Sequence, residues 1–463
     1  MSGRGSAIVV GGGLAGITAA CELADAGLRV TLLEKRQFLG GRSYSYRDGR
    51  SGVEVDNGQH VFLGCCTEYI SLLKRLEVYD KVRLQKRLRV PVIDKVWGES
   101  VLASSPAFPP PLHLMPSLLR FKSISPVEKL MAGYAFAQIQ STDRSKHPEL
   151  DRITFGDWLR ARRQSMRSIR TIWNLIVQPT LNDDVWRVSA DLALMVFQEG
   201  FLRSRDGANV GWAKVGLSTL LGHAAQRYIE DRGGEVRFGT GIDGVEVEGG
   251  AVSRVVADGD ELTADHYVLA LAWKDALGVL PEAVADEPPF AAIRSIEPAP
   301  IVNVHLWYDR PVWDRDFAAF LNTPLQWAFN KSRLHGLEGA GQYIDISLSG
   351  ARDVIDVSGD EVIASFRKEV DALFPAARGS TLERSLVVKQ RDATFAAAPG
   401  VSALRPKQRT PVAGLHLAGD WTDTGWPSTM ESAVRSGVLA AREVLSDAAR
   451  AGSAGREVVA VGR

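Results

Sequence analysis

The residues best equipped for chemistry are few and widely separated. Asp56-Asn57-Gly58-Gln59-His60 sets a carboxylate four positions before an imidazole, with two amides between them. That imidazole could give a proton to a leaving hydroxyl, hydrogen-bond to a bound cofactor, or simply tie down its own loop. Asp56 could orient the same loop. Arg391 and Asp392, in Arg391-Asp392-Ala393-Thr394-Phe395, could line a pocket. Cys21, Cys65 and Cys66 show no metal-ligand spacing, so no metal is expected.

Binding chemistry comes from two glycine-rich stretches at opposite ends of the chain. Ala7-Ile8-Val9-Val10 reads as a buried strand running into Gly11-Gly12-Gly13-Leu14-Ala15-Gly16. A helix-like stretch to Ala26 follows, then Gly27 at the C-cap position and a second strand ending at Glu34. Gly11 permits the turn, Gly13 lets backbone approach a pyrophosphate, and Gly16 lets helix and strand pack. Leu14 and Ala15 open the helix, whose free N–H groups favour phosphate. Glu34 can accept from an adenosine ribose, with Lys35 beside it. Gly239-Thr240-Gly241-Ile242-Asp243-Gly244 also fits the glycine spacing, but lies between two strand patterns and opens no helix.

Near the other end, Leu415-His416-Leu417-Ala418 reads as a short strand closed by Gly419-Asp420. Ser428-x-x-Glu431 then has the form of a capping box before a helix to about Leu445. Together the two stretches describe a site for FAD. Asp420 can accept from ribitol or ribose hydroxyls, and the N–H groups around Thr429 and Met430 can face the flavin N1/O2 edge. Gly40-Gly41-Arg42 resembles the extension with which many flavoproteins place an arginine near the phosphates.

Taken together, these motifs resemble the flavin amine oxidase and phytoene desaturase superfamily. Asp56 to His60, Arg391 to Phe395 and Ala418 to Glu431 are similar to its squalene-associated branch, the bacterial hydroxysqualene dehydroxylases. The resemblance implies an α/β fold: a Rossmann-like FAD-binding domain of glutathione-reductase type with an α+β substrate domain. It also implies Ile242 against adenine, and reductive removal of an allylic hydroxyl from a C30 isoprenoid in squalene and hopanoid synthesis. Relatives often read Arg-Ala-Thr where this chain has Arg391-Asp392-Ala393-Thr394. No cysteine lies near the second signature, so FAD is expected to be held without a covalent bond.

Positioning these residues requires more than one domain. At 463 residues, 45% of them apolar, the chain should form two or three. The FAD domain is expected from 1–100, 205–270 and 405–450, and the substrate domain from 101–204 and 271–404. Ile301 to Trp307 would floor the pocket, and 451–463 would be a flexible tail. Lys+Arg and Asp+Glu both number 55, so no overall field favours nucleic acid. With sparse cysteines, no signal-like start and no apolar run near ~20 residues, a cytoplasmic protein is expected, peripheral on the inner membrane face.

The apolar 106–121 loop is the expected membrane contact. Arg160, Arg163, Arg167 and Arg170 fall at helical spacing and read as a solvated face. No second nicotinamide fingerprint survives its context, so an external electron donor is expected. The alternatives are a carotenoid or squalene desaturase, an amine oxidase with Trp307, Trp327 and Trp421 as an aromatic cage, and a prenyl-carrier protein without flavin.

Overall fold

The computed structural model describes residues 5–47, 49, 52, 54–337 and 339–461, without the side chains of 451–461. Its first layer is a parallel five-stranded sheet in the order Glu235–Phe238, Arg29–Glu34, Ser6–Val10, His266–Leu269, Leu415–Leu417. Alternation along Ser6–Val10 divides two cores. Ala7 and Val9 face Ile17, Leu220 and Val434 on one side, while Ile8 and Val10 join Val245, Val255 and Leu269 on the other. The first face is covered by the helices Leu14–Asp25, Leu217–Glu230 and Met430–Val461.

Leu14–Asp25 is apolar nearly all round because it is covered nearly all round. The sheet lies on one side and Met430–Val461 crosses the other. That last helix continues past Ala451 to Val461, where the sequence suggested a flexible tail. Gly462 and Arg463 lie outside the described residues.

A seven-stranded sheet forms the second layer, in the order Leu382–Phe395, Pro298–Tyr308, Gln342–Ser349, Trp327–Asn330, Phe317–Leu321, Arg89–Asp94, Gly98–Ala103. All neighbours are antiparallel except Phe317–Leu321 with Arg89–Asp94. The two strands before residue 103 thus pair with the second sheet, so the chain crosses over earlier than the expected boundary at 100. The expected α/β architecture with a second mixed domain is the one observed.

A helical block between residues 112 and 202 packs on this sheet around Phe155, Trp158, Trp173 and Phe197. The four spaced arginines do not share a helix face within it. Phe155–Ala161 ends before Arg163, which adopts φ +56°, and Arg167 turns inward to donate to the Ser123 carbonyl at 2.6 Å.

Candidate active site and cofactor cradle

One cavity of about 820 Å³ runs between the two layers and touches both glycine signatures. At Gly11 (φ +103°) a Cβ would lie 2.6 Å from the Ala270 carbonyl oxygen, and at Gly16 one would lie 1.9 Å from the Gly11 oxygen. Gly13 differs: its nearest neighbour would be Gly41 Cα at 3.8 Å, leaving open space toward the cavity. No side chain caps the helix beginning at Leu14, and Leu14 and Ala15 both line the cavity. Open room, uncapped N–H groups and a helix N-terminus together fit a pyrophosphate.

Glu34 is buried, with Oε2 accepting from Gly12 N–H at 2.7 Å and Oε1 from Arg36 N–H at 2.9 Å. It lines the same end of the cavity as Lys35, Gly241 and Ile242. The Lys35 ammonium itself is mostly exposed, 3.6 Å from Asp275. Residues 239–244 carry strand Glu235–Phe238 into strand Ile242–Glu248 without opening a helix.

At the second signature, Asp420 is 3% exposed and ion-paired to Arg42, and it accepts from the Ser428 hydroxyl. Arg42 also donates to the Ala393 carbonyl at 2.9 Å. Gly41 (φ +59°) brings this arm against the first signature, where a Cβ would meet Gly13 Cα at 2.8 Å. Sequence reasoning missed Arg405. Its buried guanidinium gathers the carbonyls of Asp420 and Thr422 at 3.2 and 2.5 Å, and burial lowers it to about 10, still protonated at neutral pH.

The expected capping box does not form. Ser428 spends its hydroxyl on Asp420, Thr429 accepts from Ser432 N–H at 3.1 Å, and the helix starts at Met430. Glu431 turns away and accepts from Tyr69 N–H at 2.8 Å and Glu68 N–H at 3.2 Å, at the start of helix Thr67–Arg75. A distant helix supplies donors that its own first turn would otherwise have offered.

Where the two layers meet, Asn57, Gly58, Gln59 and His60 form a polar wall with Asn303. Asn57 Nδ2 donates to the Arg42 carbonyl at 2.7 Å, and the side-chain oxygens of Asn57 and Asn303 are buried without a hydrogen-bond partner. His60 Nδ1 lies 3.1 Å from the Gly58 carbonyl. Burial lowers its pKa, opposed by that carbonyl, so the ring is neutral at pH 7.

Asp56 sits behind the wall, 2.6 Å from the Lys331 ammonium. Burial would raise its pKa, but Lys331 draws it down to about 2. Asp345 faces the same pair; burial is its largest influence and pushes it up to about 7.

Arg391 and Asp392 do not reach the cavity. The ladder of Leu382–Phe395 against Pro298–Tyr308 slips between Thr394↔Ala299 and Gln390↔Ile301, and the extra residues bulge outward. Arg391 pairs with Asp356 at 2.7 Å and Asp392 with Lys274 at 2.9 Å, all of them exposed. Gln390, Ala393 and Thr394 line the cavity instead, and Ile301 and Asn303 supply its expected floor. The three tryptophans are not brought together: Trp327 lines the cavity, Trp307 stacks on Tyr343, and Trp421 donates to the Leu271 carbonyl at 2.9 Å. Among the described residues no cluster of three or more His, Cys, Asp or Glu could hold a metal.

Comparison with known proteins agrees with this geometry. Residues 14–445 match the model of the flavin containing amine oxidoreductase family. The chain is 25% identical to the 15-cis-phytoene desaturase of Synechococcus elongatus over 98% of both chains. It is 27% identical to the zeta-carotene desaturase of Zea mays over 93% of this chain and 81% of that one. Among solved structures it is similar in fold to an oxidoreductase from Methanosarcina mazei (TM-score 0.72, 16% identity, 95% of this chain and 100% of that one). It is also similar to cyclohexylamine oxidase from Brevibacterium oxydans (TM-score 0.69, 20% identity, 96% and 99%). With the family matched over nearly the whole chain and a cradle of the right construction, the protein belongs to the flavin containing amine oxidoreductases and is an FAD-dependent oxidoreductase.

Proposed function

We propose that the protein acts on a C30 isoprenoid and removes the allylic hydroxyl of hydroxysqualene to give squalene. The observation carrying this reading is a cavity that changes character along its length. One arm is walled by Leu88, Val90, Leu175, Ile176, Met195 and Phe329, whereas Asn57, Gln59, Asn303 and Asp420 give the cavity a polar lining beside the flavin signatures. A hydrocarbon chain is at home in the apolar arm. The two desaturases named above act, by name, on long isoprenoids, which supports the substrate class.

In this reading Gly13, Leu14, Ala15 and Gly16 hold the pyrophosphate, Glu34, Lys35 and Ile242 the adenosine end, and Arg42, Asp420, Thr429 and Met430 the ribitol and ring. Bound FAD, when reduced, supplies a hydride. The hydroxyl leaves as water after gaining one proton, and the hydride takes its place on carbon. The apolar wall keeps water from the cationic carbon.

His60 is the candidate proton donor. Its lowered pKa means that its help grows as pH falls below 6.5 and is small at neutral pH. An external donor must reduce the flavin, and the substrate enters from the inner face of the membrane. Carrying a C30 chain through water would cost on the order of 20 kcal/mol at about 0.8 per CH₂, so the protein sits peripherally on lipid.

The reverse chemistry, desaturation, is favoured by the named relatives. Anaerobic incubation of photoreduced protein with hydroxysqualene separates the two: squalene and reoxidised flavin are expected. No squalene there, with new double bonds formed from a polyene by the oxidised protein, would make it a desaturase.

A further inference from the structure

We propose that Lys331 is a positioning residue: its buried ammonium holds Asp56 and Gln59 together, setting the Asn57–His60 wall against the sheet floor beside the flavin. The proposal rests on the flavin-pocket reading above.

Lys331 is 1% exposed and opens the short helix Lys331–Leu334 directly after strand Trp327–Asn330 of the second layer. Its Nζ donates to Asp56 Oδ2 at 2.6 Å and to Gln59 Oε1 at 2.8 Å, and Gln59 Nε2 donates to the His60 carbonyl at 2.9 Å. One cation therefore grips both ends of a four-residue span. On the opposite side the span has no slack, since a Cβ on Gly58 would lie 2.3 Å from Asn303 Nδ2.

The grip continues into the first layer. Asp56 accepts from Ser45 Oγ at 2.6 Å and Leu217 N–H at 3.0 Å. Asn57 donates to the Arg42 carbonyl, and Arg42 pairs with Asp420. A polar line thus runs from Lys331 in one layer to the flavin signature in the other. Packed apolar residues often stabilise as well as a buried ion pair does, so folding alone gives little reason for a lysine here. Placing the wall does.

The test compares wild type, Lys331→Met and the double variant Asp56→Asn/Lys331→Met as holoproteins. Removing the lysine alone strands the Asp56 carboxylate and lowers Tm; the double variant removes both members of the pair and regains most of it. If Lys331 positions the wall, both variants still bind FAD but show altered visible circular dichroism of the flavin, and both lose about 100-fold in turnover of hydroxysqualene. Wild-type flavin dichroism in either folded variant, or recovery of turnover with Tm in the double variant, overturns the proposal while leaving the pocket reading intact. Failure of the wild type to take up FAD would overturn both.

Discussion

Gly437 lies against Ala15: a Cβ on the glycine would sit 2.4 Å from the alanine carbonyl oxygen. This is where the last helix crosses the first, and the crossing draws the C-terminal signature over the nucleotide cradle. Gly437→Ala must separate the helices or bend one. Overpacking of this kind costs about 1–3 kcal/mol. Thermal unfolding should show a clearly lower Tm, and FAD affinity should fall with it because Met430 moves with the helix. A variant with wild-type Tm and affinity would mean that the crossing tolerates a methyl group.

Gly13→Ala should behave in the opposite way. No atom of the protein lies closer than 3.8 Å to the added methyl, so the apoprotein should keep its Tm. The methyl instead fills the space assigned to the pyrophosphate. FAD titration by fluorescence quenching should show affinity reduced at least about tenfold, the equivalent of roughly 1.4 kcal/mol. Unchanged affinity would place the phosphates elsewhere.

The glycines of the first signature show what the sequence made legible. Gly11 makes the expected turn and Gly16 the expected close packing, and both were legible because their meaning is local, within six residues. Asp420 follows the short strand as its sequence suggests, and the fold buries it.

Pairings made across the fold carried no such signal. Glu431 matches a capping box by spacing, yet its carboxylate goes to Tyr69, 362 positions away. Lys331 finds Asp56 over 275 positions. Its one sequence hint is a lysine directly after the apolar strand Trp327–Asn330. Regular alternation from Gln390 would have turned Asp392 toward the cavity and Arg391 away from it; the bulge carries both outward.

Asp345 gives the polar wall a pH dependence. Its folded-state pKa is raised by burial from 3.8 to about 7. Stability from its protonated form is complete below about 3.8 and drains away as pH rises toward 7. Asp56 does not interfere in that window, because its pKa of about 2 makes it lose stability only as pH falls below the usual carboxylate range. Asp345→Asn should therefore flatten the wild-type decline in Tm between pH 4 and 7. It should also be the more stable protein at pH 7.5, by roughly 4 kcal/mol at most. Parallel wild-type and variant curves across that range would show that the carboxyl is ionised throughout.

The exposed apolar surface extends beyond the loop at 106–121. Leu112, Met115 and Leu119 stand 49%, 39% and 58% exposed, and the next helix, Pro126–Ser141, adds Val127, Leu130 and Tyr134 at 69%, 74% and 49%. A shallow groove joins the two helices, with Lys129, Arg162 and Arg163 among its walls. Single exposed apolar residues are ordinary, whereas a contiguous patch with a basic rim suits an anionic lipid surface. Leu119→Glu/Leu130→Glu places two carboxylates in that patch without touching the core, so Tm should not change. Co-sedimentation with vesicles containing anionic lipid should drop sharply, and turnover of a lipid-dispersed substrate should drop while bound FAD stays constant. Undiminished vesicle binding by this variant would rule this patch out as a membrane contact.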